Sequence, residues 1–574
     1  MRSTPQCLVA ALAEAIRSIV SAASPSHAAV TPCHDARFGD YQSNVAMALG
    51  KKLGKPPREV AQQIISGLKV DDVCSKVDIA GAGFINFHLR TEFVARQLVE
   101  MAADSRNGIA PAAQPRRIIL DFSSPNTAKS MHVGHIRSTF LGDALARIAR
   151  AVGHAVITDN HLGDWGTNFG MLIYGYKHRL DRAALARSPI AEFERLYREI
   201  NAASQSDKSI LDAARKELAL LHAGDAENLK IWKEITDFSL LEFNKTYQHL
   251  GVTFDHTLGE SFYNPMLQGV VDELKKLGVA ELSEGATCVF FRDDPALKDA
   301  APMIIQKSDG AFLYATTDLA TVRYRVNEWK SDEILYVTDA RQQLHFKQLF
   351  AAATKWMGKE KPELKHIVFG SILGPDKKPI KSRSGDPIKL TELLDEAEAR
   401  ARKIIGEKNP ELTKEEQSHA ARVIGIGALK YADLCQNRDL DYVFDWNKLL
   451  ALQGNTAPYL IYAYVRVRSI FRKADSNNIS SNRFQLQAPE ELSLAKHLIQ
   501  FSDAVHPILE DYRPHLLTSY LYELAVRFSR FFEACPVLKA EEPIRAERLA
   551  LCDITARTLK TGLNLLGIET LEKM

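Results

Sequence analysis

Residues 116–150 constrain the fold more than any other stretch of this chain. After two arginines comes a short apolar run, Ile118 to Phe122, whose branched side chains are typical of a buried strand in a parallel sheet. A Ser-Ser-Pro-Asn turn ends this strand, and beyond His135 apolar residues recur at helical spacing. A strand, a turn and a helix in this order predict an α/β domain with a Rossmann-like parallel sheet.

The predicted helix opens with the tetrad His132-Val133-Gly134-His135. A helix N-terminus offers free backbone N–H groups and a positive dipole end, and Gly134 lacks a side chain that would block a phosphate or a flat base. Two imidazoles three residues apart lie on one helix face and can donate to phosphate oxygens. The tetrad therefore indicates a nucleotide site, although taken alone it also fits an incomplete metal site or a polar helix start.

Length and composition bound the number of domains and leave function open. At 574 residues the chain is expected to form three or four domains of about 150 residues each. A hydrophobic fraction of 46% and a charged fraction of 25% are typical of a globular protein. Lys+Arg 73 against Asp+Glu 71 gives a net charge of +2, so a nucleic-acid partner would have to meet local basic patches.

Cysteine usage and hydropathy indicate the cellular setting. Seven scattered cysteines without a C-x-x-C pair favour a reducing compartment and argue against a structural zinc. No stretch approaches the ~18 consecutive apolar residues of a membrane span. The apolar segment 7–23 is interrupted by Glu14 and Arg17, so we interpret it as an amphipathic helix, with a transit peptide as the alternative. We expect a cytoplasmic protein without a membrane partner.

Further stretches outline the remaining elements. The sequence predicts helices at 41–53, 57–68 and from 415 onward, and strands at 77–79, 84–89, 154–159, 334–338 and 367–372. Residues 185–250 are charged, helical in pattern and without a chemical motif, which indicates an insertion in the nucleotide fold.

Three other stretches contain residues suited to binding a ligand. The glycine-rich loop 160–170 and the cationic loop 374–386 each follow a predicted strand, which is where ligands bind in doubly wound sheets. Tyr314 and Asp318 are four residues apart and suit a planar cation if they share a helix face, although they would equally fit a helix cap.

The motifs, taken in order, resemble those of the arginyl-tRNA synthetases, which are class I aminoacyl-tRNA synthetases. Residues 124–139 resemble the family's HIGH motif, and 381–385 resemble its KMSKS loop with Ser382 where the common motif has its second lysine. Further strings that resemble the family lie at 38–44, 81–87, 160–170, 310–320, 339–348, 454–459 and 565–568.

The resemblance implies three domains and one reaction. The domains are a small α/β N-terminal domain at 1–112 that contacts the tRNA elbow, a class I catalytic domain at 113–411 with a helical insertion at about 180–260, and an all-α anticodon-binding bundle at 412–574. The reaction is attachment of L-arginine to tRNA(Arg) through arginyl-adenylate, with ATP as its Mg²⁺ complex, no protein-bound metal and a monomeric enzyme. Another class I synthetase or nucleotidyltransferase, or a non-catalytic RNA-binding paralogue, stays open as an alternative.

The same resemblance implies a role for each candidate residue. Catalysis is expected from Lys129, His132, His135, Lys381 and Arg383, and ATP binding from His132, Gly134, His135, Lys381, Ser382 and Arg383. Arginine is expected to bind Asn126 and Gln342 through its head group, and Tyr314 and Asp318 through its guanidinium, with Asp121 or Glu260 as further acceptors. By composition alone, the interleaved basic and aromatic residues around 459–468 fit the surface of a helix bundle better than an RNA site. The resemblance of 454–459 and 565–568 to the family's anticodon-binding domain implies that the tRNA contacts Tyr459, Arg466 and Arg468. Since Ser382 leaves one cation missing, we expect Lys129 to supply it.

Overall fold

A computed structural model describes residues 3–19, 29–33, 35–358, 361–378, 380, 388–474 and 483–574. The chain divides into two compact units. One comprises Met1–Ala113, Ala401–Cys435 and Asn447–Met574, and the other comprises Gln114–Arg400 and Gln436–Trp446. No helix in the described ranges is long and apolar enough to cross a membrane.

The N-terminal part of the first unit is a four-stranded antiparallel sheet with helices. Its elements are α1 (Thr4–Ile19), β1 (Thr31–Pro32), a 3-10 turn (Ala36–Phe38), β2 (Tyr41–Ser43), α2 (Val45–Leu53), α3 (Pro57–Ser66), β3 (Cys74–Ala80), β4 (Phe84–Leu89) and α4 (Thr91–Ala103). The strand order is β1-β2-β4-β3. The strand predicted at 84–89 is confirmed. The helix predicted from 41 is wrong at its start, because Tyr41 pairs with Phe87 across the sheet and buries its ring.

The second unit contains the parallel sheet. Its elements up to the third parallel strand are β5 (Arg117–Asp121), α5 (Gly134–Ala151), β6 (Ala155–Asp159), α6 (Asn168–Arg179), α7 (Arg182–Arg187), α8 (Pro189–Ser206), α9 (Lys208–His222), α10 (Ala226–Leu250), α11 (Glu260–Tyr263), a 3-10 turn (Asn264–Met266), α12 (Leu267–Lys276), β7 (Ala280–Ser283), β8 (Ala286–Val289), β9 (Met303–Gln306), α13 (Tyr314–Asn327) and β10 (Glu333–Tyr336). A 3-10 turn (Ala340–Gln342), α14 (Gln343–Met357), β11 (Glu363–His366), β12 (Ile372–Leu373) and α15 (Leu390–Lys408) follow.

The parallel sheet has the order β11-β10-β5-β6, with every neighbouring pair parallel. Its central residues, such as Ile119 and Ile334, are fully buried, as expected for strands covered on both faces. The predicted fold class, a Rossmann-like sheet with a helical insertion, is confirmed. The strand predicted at 367–372 is wrong, because Gly370 donates its backbone N–H to Arg438 and β12 pairs with residues 442–443 instead.

The inserted helices α7–α10 pack with α6 around a shared apolar core. Phe193 and Leu196 on α8 are fully buried and pack with Phe169 and Ile173 of α6. The helical character predicted for residues 185–250 is therefore confirmed, and the amphipathic pattern of α8 places its apolar face on this core. We call α7–α10 the helical insertion below.

The C-terminal part of the first unit is helical. Its elements, with one short strand assigned to the second unit, are α16 (Lys414–Leu434), β13 (Tyr442–Val443), α17 (Trp446–Leu449), α18 (Ala457–Ala474), α19 (Pro489–Ile499), α20 (Phe501–Val505), α21 (Ile508–Asp511), α22 (His515–Ala534) and α23 (Ile544–Leu565). The C-terminal helices predicted from 415 are confirmed.

The two ends of the chain pack against each other in this unit. The Tyr41 hydroxyl donates to Asp503 at 2.6 Å, and Lys496 forms an ion pair with Asp40 at 2.8 Å. Asn107 donates to the Thr558 hydroxyl at 2.9 Å. The N-terminal sheet and the C-terminal helices are therefore parts of a single compact unit.

The buried contact between Tyr41 and Asp503 predicts a pH-dependent stability. Burial raises the pKa of the Asp503 carboxyl to about 7, against the opposing hydrogen bond from Tyr41. Because the folded state holds this proton more tightly than the unfolded chain, the contribution is fully present below the unfolded pKa and is lost as pH rises to 7. We expect Asp503→Asn to gain on the order of 2 kcal/mol over the parent between pH 5.5 and pH 8 in urea unfolding. The exposed Asp71→Asn serves as the control, and equal differences at both pH values would contradict the prediction.

Candidate active site

The turn after β5 is strained and is held by hydrogen bonds from its surroundings. Ser123, Ser124 and Ala128 adopt left-handed backbone conformations with φ of 70°, 46° and 62°. The backbone N–H of Ser123 donates to the Ser138 hydroxyl at 2.8 Å, and that of Ser124 donates to the Asn160 side chain at 3.1 Å. Non-glycine residues in this conformation cost roughly 1–3 kcal/mol each and persist where the surroundings fix them, which is common at functional sites.

The two histidines of the tetrad are fixed by backbone donors. The Nδ1 atom of His132 accepts the N–H of Gly134 at 3.0 Å, and Nδ1 of His135 accepts the N–H of His132 at 3.1 Å. The ring centroids are 4.1 Å apart. A neutral imidazole whose Nδ1 accepts a hydrogen bond carries its proton on Nε2, so His132 offers an Nε2–H donor. Nδ1 of His135 also lies 3.3 Å from the His132 carbonyl oxygen, to which a proton on Nδ1 would be donated.

The surroundings of both imidazoles favour the neutral form. Burial lowers the pKa of His135 to about 4, with a further contribution from His132. Burial, followed by the charges of Arg341 and Lys129, also lowers the pKa of His132. The pair therefore acts on an anion through hydrogen bonds, and full positive charge has to come from lysine or arginine side chains.

Gly134 is required by the position of the first histidine ring. A Cβ at this position would lie 2.7 Å from Cε1 and 2.9 Å from Nδ1 of His132. Gly134 is predicted to leave room for a ligand at the helix start. In the structure, part of this room is taken by the ring of His132. Helix α5 begins at this glycine.

Asn126 lies against the glycine-rich loop that follows β6. It forms a parallel bridge with Gly163, and the Thr127 backbone N–H donates to the Gly163 carbonyl at 3.1 Å. A Cβ at Gly163 would lie 2.0 Å from the side-chain oxygen of Asn126. The loop predicted as a ligand-binding segment therefore determines where this amide points.

A short stretch of extended backbone brackets the tetrad on its other side. The N–H of Leu390 donates to the Met131 carbonyl at 2.9 Å, and the N–H of Val133 donates to the Ile388 carbonyl at 3.0 Å. This pairing places Lys389 opposite His132. The predicted loop residues Lys381, Ser382 and Arg383 lie outside the described residues.

Lys129 lies beside a cavity of about 330 Å³ next to the tetrad. Its ammonium group is 5.3 Å from the ring centroid of Tyr197 on α8. The cavity wall combines cations, an acid, an aromatic ring and the tetrad's first histidine, in the residues Lys129, Arg198, Lys389, Glu194, Tyr197 and His132. A pocket with three cations and the imidazole of His132 suits a polyanion.

The candidate guanidinium pair lies at the start of α13. Tyr314 and Asp318 occupy its first two turns and share one face, as predicted. Nε2 of His345 is 2.6 Å from the Asp318 carboxylate, and the ring of Tyr314 is 4.8 Å from that of His345. Tyr314 is 63% exposed, so its hydroxyl is available to a ligand.

Glu260 adds a second carboxylate to this region. Burial raises its pKa to about 7, and repulsion from Asp318 and Asp164 adds to the rise while His161 opposes it. The Asp164 carboxylate accepts the N–H and hydroxyl of Ser261 at 2.9 and 2.6 Å. The carboxylates of Asp164 and Asp318 repel that of Glu260, and a bound cation would reduce this repulsion.

Asp121 is already paired within the protein. Its carboxylate accepts a hydrogen bond from Arg325 at 2.6 Å and one from the Ser124 hydroxyl at 3.0 Å. Arg325 is fully buried and also donates to Asp159 at 2.7 Å. A substrate guanidinium that contacted Asp121 would share this carboxylate with Arg325 and Ser124.

Comparison with known families gives three matches along the chain. Residues 97–446 match the model of the class I tRNA synthetase (R) catalytic domain, residues 460–574 match the DALR anticodon binding domain, and residues 6–89 match the arginyl tRNA synthetase N-terminal domain. This chain belongs to the arginyl-tRNA synthetase family.

Relatives of this family resemble the chain over its whole length. The arginine–tRNA ligase of Chromobacterium violaceum is 44% identical over 97% of this chain and 98% of its own length. Arginyl-tRNA synthetase structures from Thermus thermophilus and Plasmodium falciparum match with TM-scores of 0.86 and 0.85, at 26% and 28% identity, and cover 100% of both chains. The resemblance predicted from the motifs is confirmed.

The candidate RNA-binding residues all lie on α18. The guanidinium of Arg466 is 4.6 Å from the ring centroid of Phe532, and Nε of Arg468 is 2.9 Å from the Glu572 carboxylate. The ring of Tyr459 is 5.7 Å from that of Tyr522. Among the residues that the structure describes, no three His, Cys, Asp or Glu side chains are grouped so as to hold a metal ion.

Sequence reasoning missed the groups that hold the site residues in place. Arg325 lies seven residues after Asp318 on α13, so helical spacing alone puts it on the same face. His345 lies in the predicted motif 339–348 but carried no assigned role. Glu194 and Tyr197 lie in a segment without a chemical motif, and only the tertiary structure brings them to Lys129.

The close approach of Gly163 and Asn126 predicts a steric requirement. Because a methyl group at 163 would overlap the Asn126 side-chain oxygen, Gly163→Ala should shift this amide and lower kcat/KM for the amino acid by roughly 10²-fold, the cost of a displacement of about 1 Å. The control is Gly269→Ala on α12, whose Cβ meets nothing within 4 Å and which should leave kcat/KM unchanged. Equal kcat/KM in the parent and Gly163→Ala would show that Asn126 has no such role.

Proposed function

We propose that this chain carries out the reaction of its family, the ATP-dependent attachment of L-arginine to tRNA(Arg) through an arginyl-adenylate. The arginine carboxylate attacks the α-phosphate of ATP, pyrophosphate leaves, and the arginyl group passes to the terminal ribose of the tRNA. No covalent enzyme nucleophile is needed. The observation that carries the proposal is the fixed orientation of His132 and His135 at the start of α5 in a chain of this family.

The nucleotide half of the site works through hydrogen bonds and charge. The Nε2–H group of His132 is a pre-oriented donor for phosphate oxygens, which become more negative in the transition state, and we assign His135 to the same task. Lys129 supplies positive charge from the same turn, and we assign Lys381 and Arg383 to the same task by the family's motif. ATP enters as its Mg²⁺ complex, so the ion is part of the substrate.

The arginine half of the site works through acids and a phenol. Asp318 and Glu260 would accept the guanidinium, with the exposed hydroxyl of Tyr314 at its edge. Asn126 and Gln342 are assigned to the amino-acid head group. Asp121 keeps its ion pair with Arg325 and is assigned as a further acceptor for the guanidinium. Guanidinium binding would relieve the repulsion that raises the Glu260 pKa.

The tRNA-facing roles follow from the family and from side-chain chemistry. We assign residues 1–112 to the tRNA elbow and residues 412–574, with Tyr459, Arg466 and Arg468, to the anticodon. Among the described residues none of the seven cysteines forms a disulfide, which suits a reducing compartment such as the cytoplasm. Each half of the catalytic site is built from one chain, so we propose a monomer.

Aminoacylation of tRNA(Arg) transcript with arginine, lysine, glutamate and cysteine tests the proposal directly. Charging with arginine alone supports it. Charging with another of these amino acids would favour the alternative of a different class I synthetase, and tRNA binding without charging would favour the non-catalytic paralogue. Pyrophosphate exchange is expected to require added tRNA, as the family resemblance implies.

Asp318 is expected to determine the choice of amino acid. Asp318→Asn removes the charge opposite the guanidinium, which should cost on the order of 2–5 kcal/mol of arginine binding. The measured quantity is KM for arginine in charging, with KM for ATP unchanged. Asp299→Asn, at an exposed position in the same unit, is the matched control. An unchanged KM for arginine in Asp318→Asn would remove this residue from the pocket.

Glu260 is expected to make arginine binding depend on pH near neutrality. Its pKa of about 7 means that below pH 7 the carboxyl is protonated, and arginine has to displace that proton. KM for arginine should therefore rise as pH falls from 8 to 6, by up to about tenfold per pH unit. Glu260→Gln should bind arginine more weakly but with a flatter profile over this range. Parallel profiles in parent and variant would argue against the assignment.

A further inference from the structure

Three consecutive residues of the catalytic turn are each held by a different side chain of the helical insertion. The Ala128 backbone N–H donates to the Ser239 hydroxyl on α10 at 2.9 Å. Lys129 lies over the Tyr197 ring on α8, and the Ser130 backbone N–H donates to Glu194 on α8 at 2.8 Å. The insertion thus contacts the turn at every position from 128 to 130.

The turn needs such support because its backbone is not self-sustaining. Ala128 has a φ of 62°, a left-handed conformation that is unfavourable for a residue with a Cβ. The hydroxyl of Ser239 fixes the N–H of this strained residue. A contact from the helical insertion therefore fixes the backbone from which the Lys129 side chain extends.

Tyr197 orients the Lys129 side chain itself. Lysine has a flexible four-carbon stem, and ordering it costs conformational entropy. An ammonium group 5.3 Å from an aromatic centroid is attracted to the ring face. Because Tyr197 packs on the apolar core of the insertion, the ring is a rigid support for this cation.

Glu194 joins the turn to the segment on the other side of the tetrad. Its carboxylate accepts the Ser130 N–H and lies 3.4 Å from Nζ of Lys389, whose backbone is opposite His132. Burial acts to raise the Glu194 pKa, but the hydrogen bonds from Ser130 and the charge of Lys389 outweigh it, and the pKa is lowered. A single ionised acid on α8 thus spans both sides of the histidine pair.

We propose that the helical insertion completes the nucleotide site, with Tyr197 and Glu194 as positioning residues that hold Lys129 and Lys389 beside His132. This inference rests on the proposed function and assigns a role to the one segment that the sequence left without one. Tyr197 acts through Lys129, and Glu194 acts through Ser130 and Lys389.

A double-mutant cycle between Tyr197 and Lys129 tests the first part, with single-turnover adenylation in the presence of tRNA as the readout. Lys129→Ala should lower the rate by roughly 10²-fold. Tyr197→Leu should lower it by roughly tenfold in the parent and by less than twofold in the Lys129→Ala background, because its effect passes through the lysine. Tyr197→Phe keeps the ring and should recover most of the rate lost in Tyr197→Leu. Additive effects of Tyr197→Leu and Lys129→Ala would overturn the proposal.

Glu194 variants test the second part. Glu194→Gln keeps an acceptor for the Ser130 N–H but loses the charge opposite Lys389, so its rate should fall between those of the parent and Glu194→Ala. KM for arginine should stay within twofold in both variants, because the arginine-binding residues are not touched. The control is Glu199→Gln on the same helix, which removes ion pairs to Arg179 and Arg195 and should leave the rate unchanged.

The outcomes separate this inference from the proposed function. If the parent charges tRNA with arginine but the cycle is additive and Glu194→Ala reacts at the parental rate, only the role of the insertion is wrong. If the parent fails to charge arginine, the proposed function itself is wrong. Thermal unfolding of each variant identifies any loss of rate that comes from loss of folded protein, and in that case Tyr197→Phe and Glu194→Gln decide the outcome.

Discussion

The buried ion pair of Arg325 with two aspartates is the interaction on which the catalytic unit depends. Asp121 and Asp159 are the last residues of β5 and β6 and lie directly opposite each other in the parallel register. Two carboxylates at neighbouring, water-excluded strand ends repel, and burial raises the pKa of Asp159. One fully buried guanidinium donates to both, at 2.6 and 2.7 Å. Without it the two strands could not end side by side as charged residues.

The positions of the other site residues follow from the paired ends of β5 and β6. The pairing of β5 and β6 continues beyond the aspartates as the bridge between Asn126 and Gly163. The turn after β5 carries Lys129 and leads into the tetrad, and the loop after β6 leads to Asp164 and so to the acidic region near Glu260. A nucleotide half and an amino-acid half therefore diverge from one pair of strand ends, which is the usual position of ligands in open parallel sheets.

Local sequence patterns predicted some elements accurately and others wrongly. The elements that were predicted wrongly depend on partners far away in the sequence. The strand at 118–121, the helix after Gly134 and the two histidines are encoded by contiguous residues, so a periodic pattern was sufficient. The strand expected at 367–372 failed because its backbone partner lies some 70 residues away, at 438–443. Arg325 and Glu194 act through contacts across 166 to 204 and 64 to 195 residues respectively, and no local pattern reports such distances.

The contacts between the two ends of the chain also affect the order in which the protein can fold during synthesis. Tyr41 and Asp503 are 462 residues apart, so the sheet that contains Tyr41 cannot complete its packing until almost the whole chain has left the ribosome. At roughly 5–20 residues per second this delay is on the order of a minute. Most of the catalytic unit, residues 114–400, emerges in the meantime and has an apolar core of its own. Synthesis therefore leaves the N-terminal segment waiting with apolar surface exposed, which makes it the part of the nascent chain in greatest need of chaperone protection.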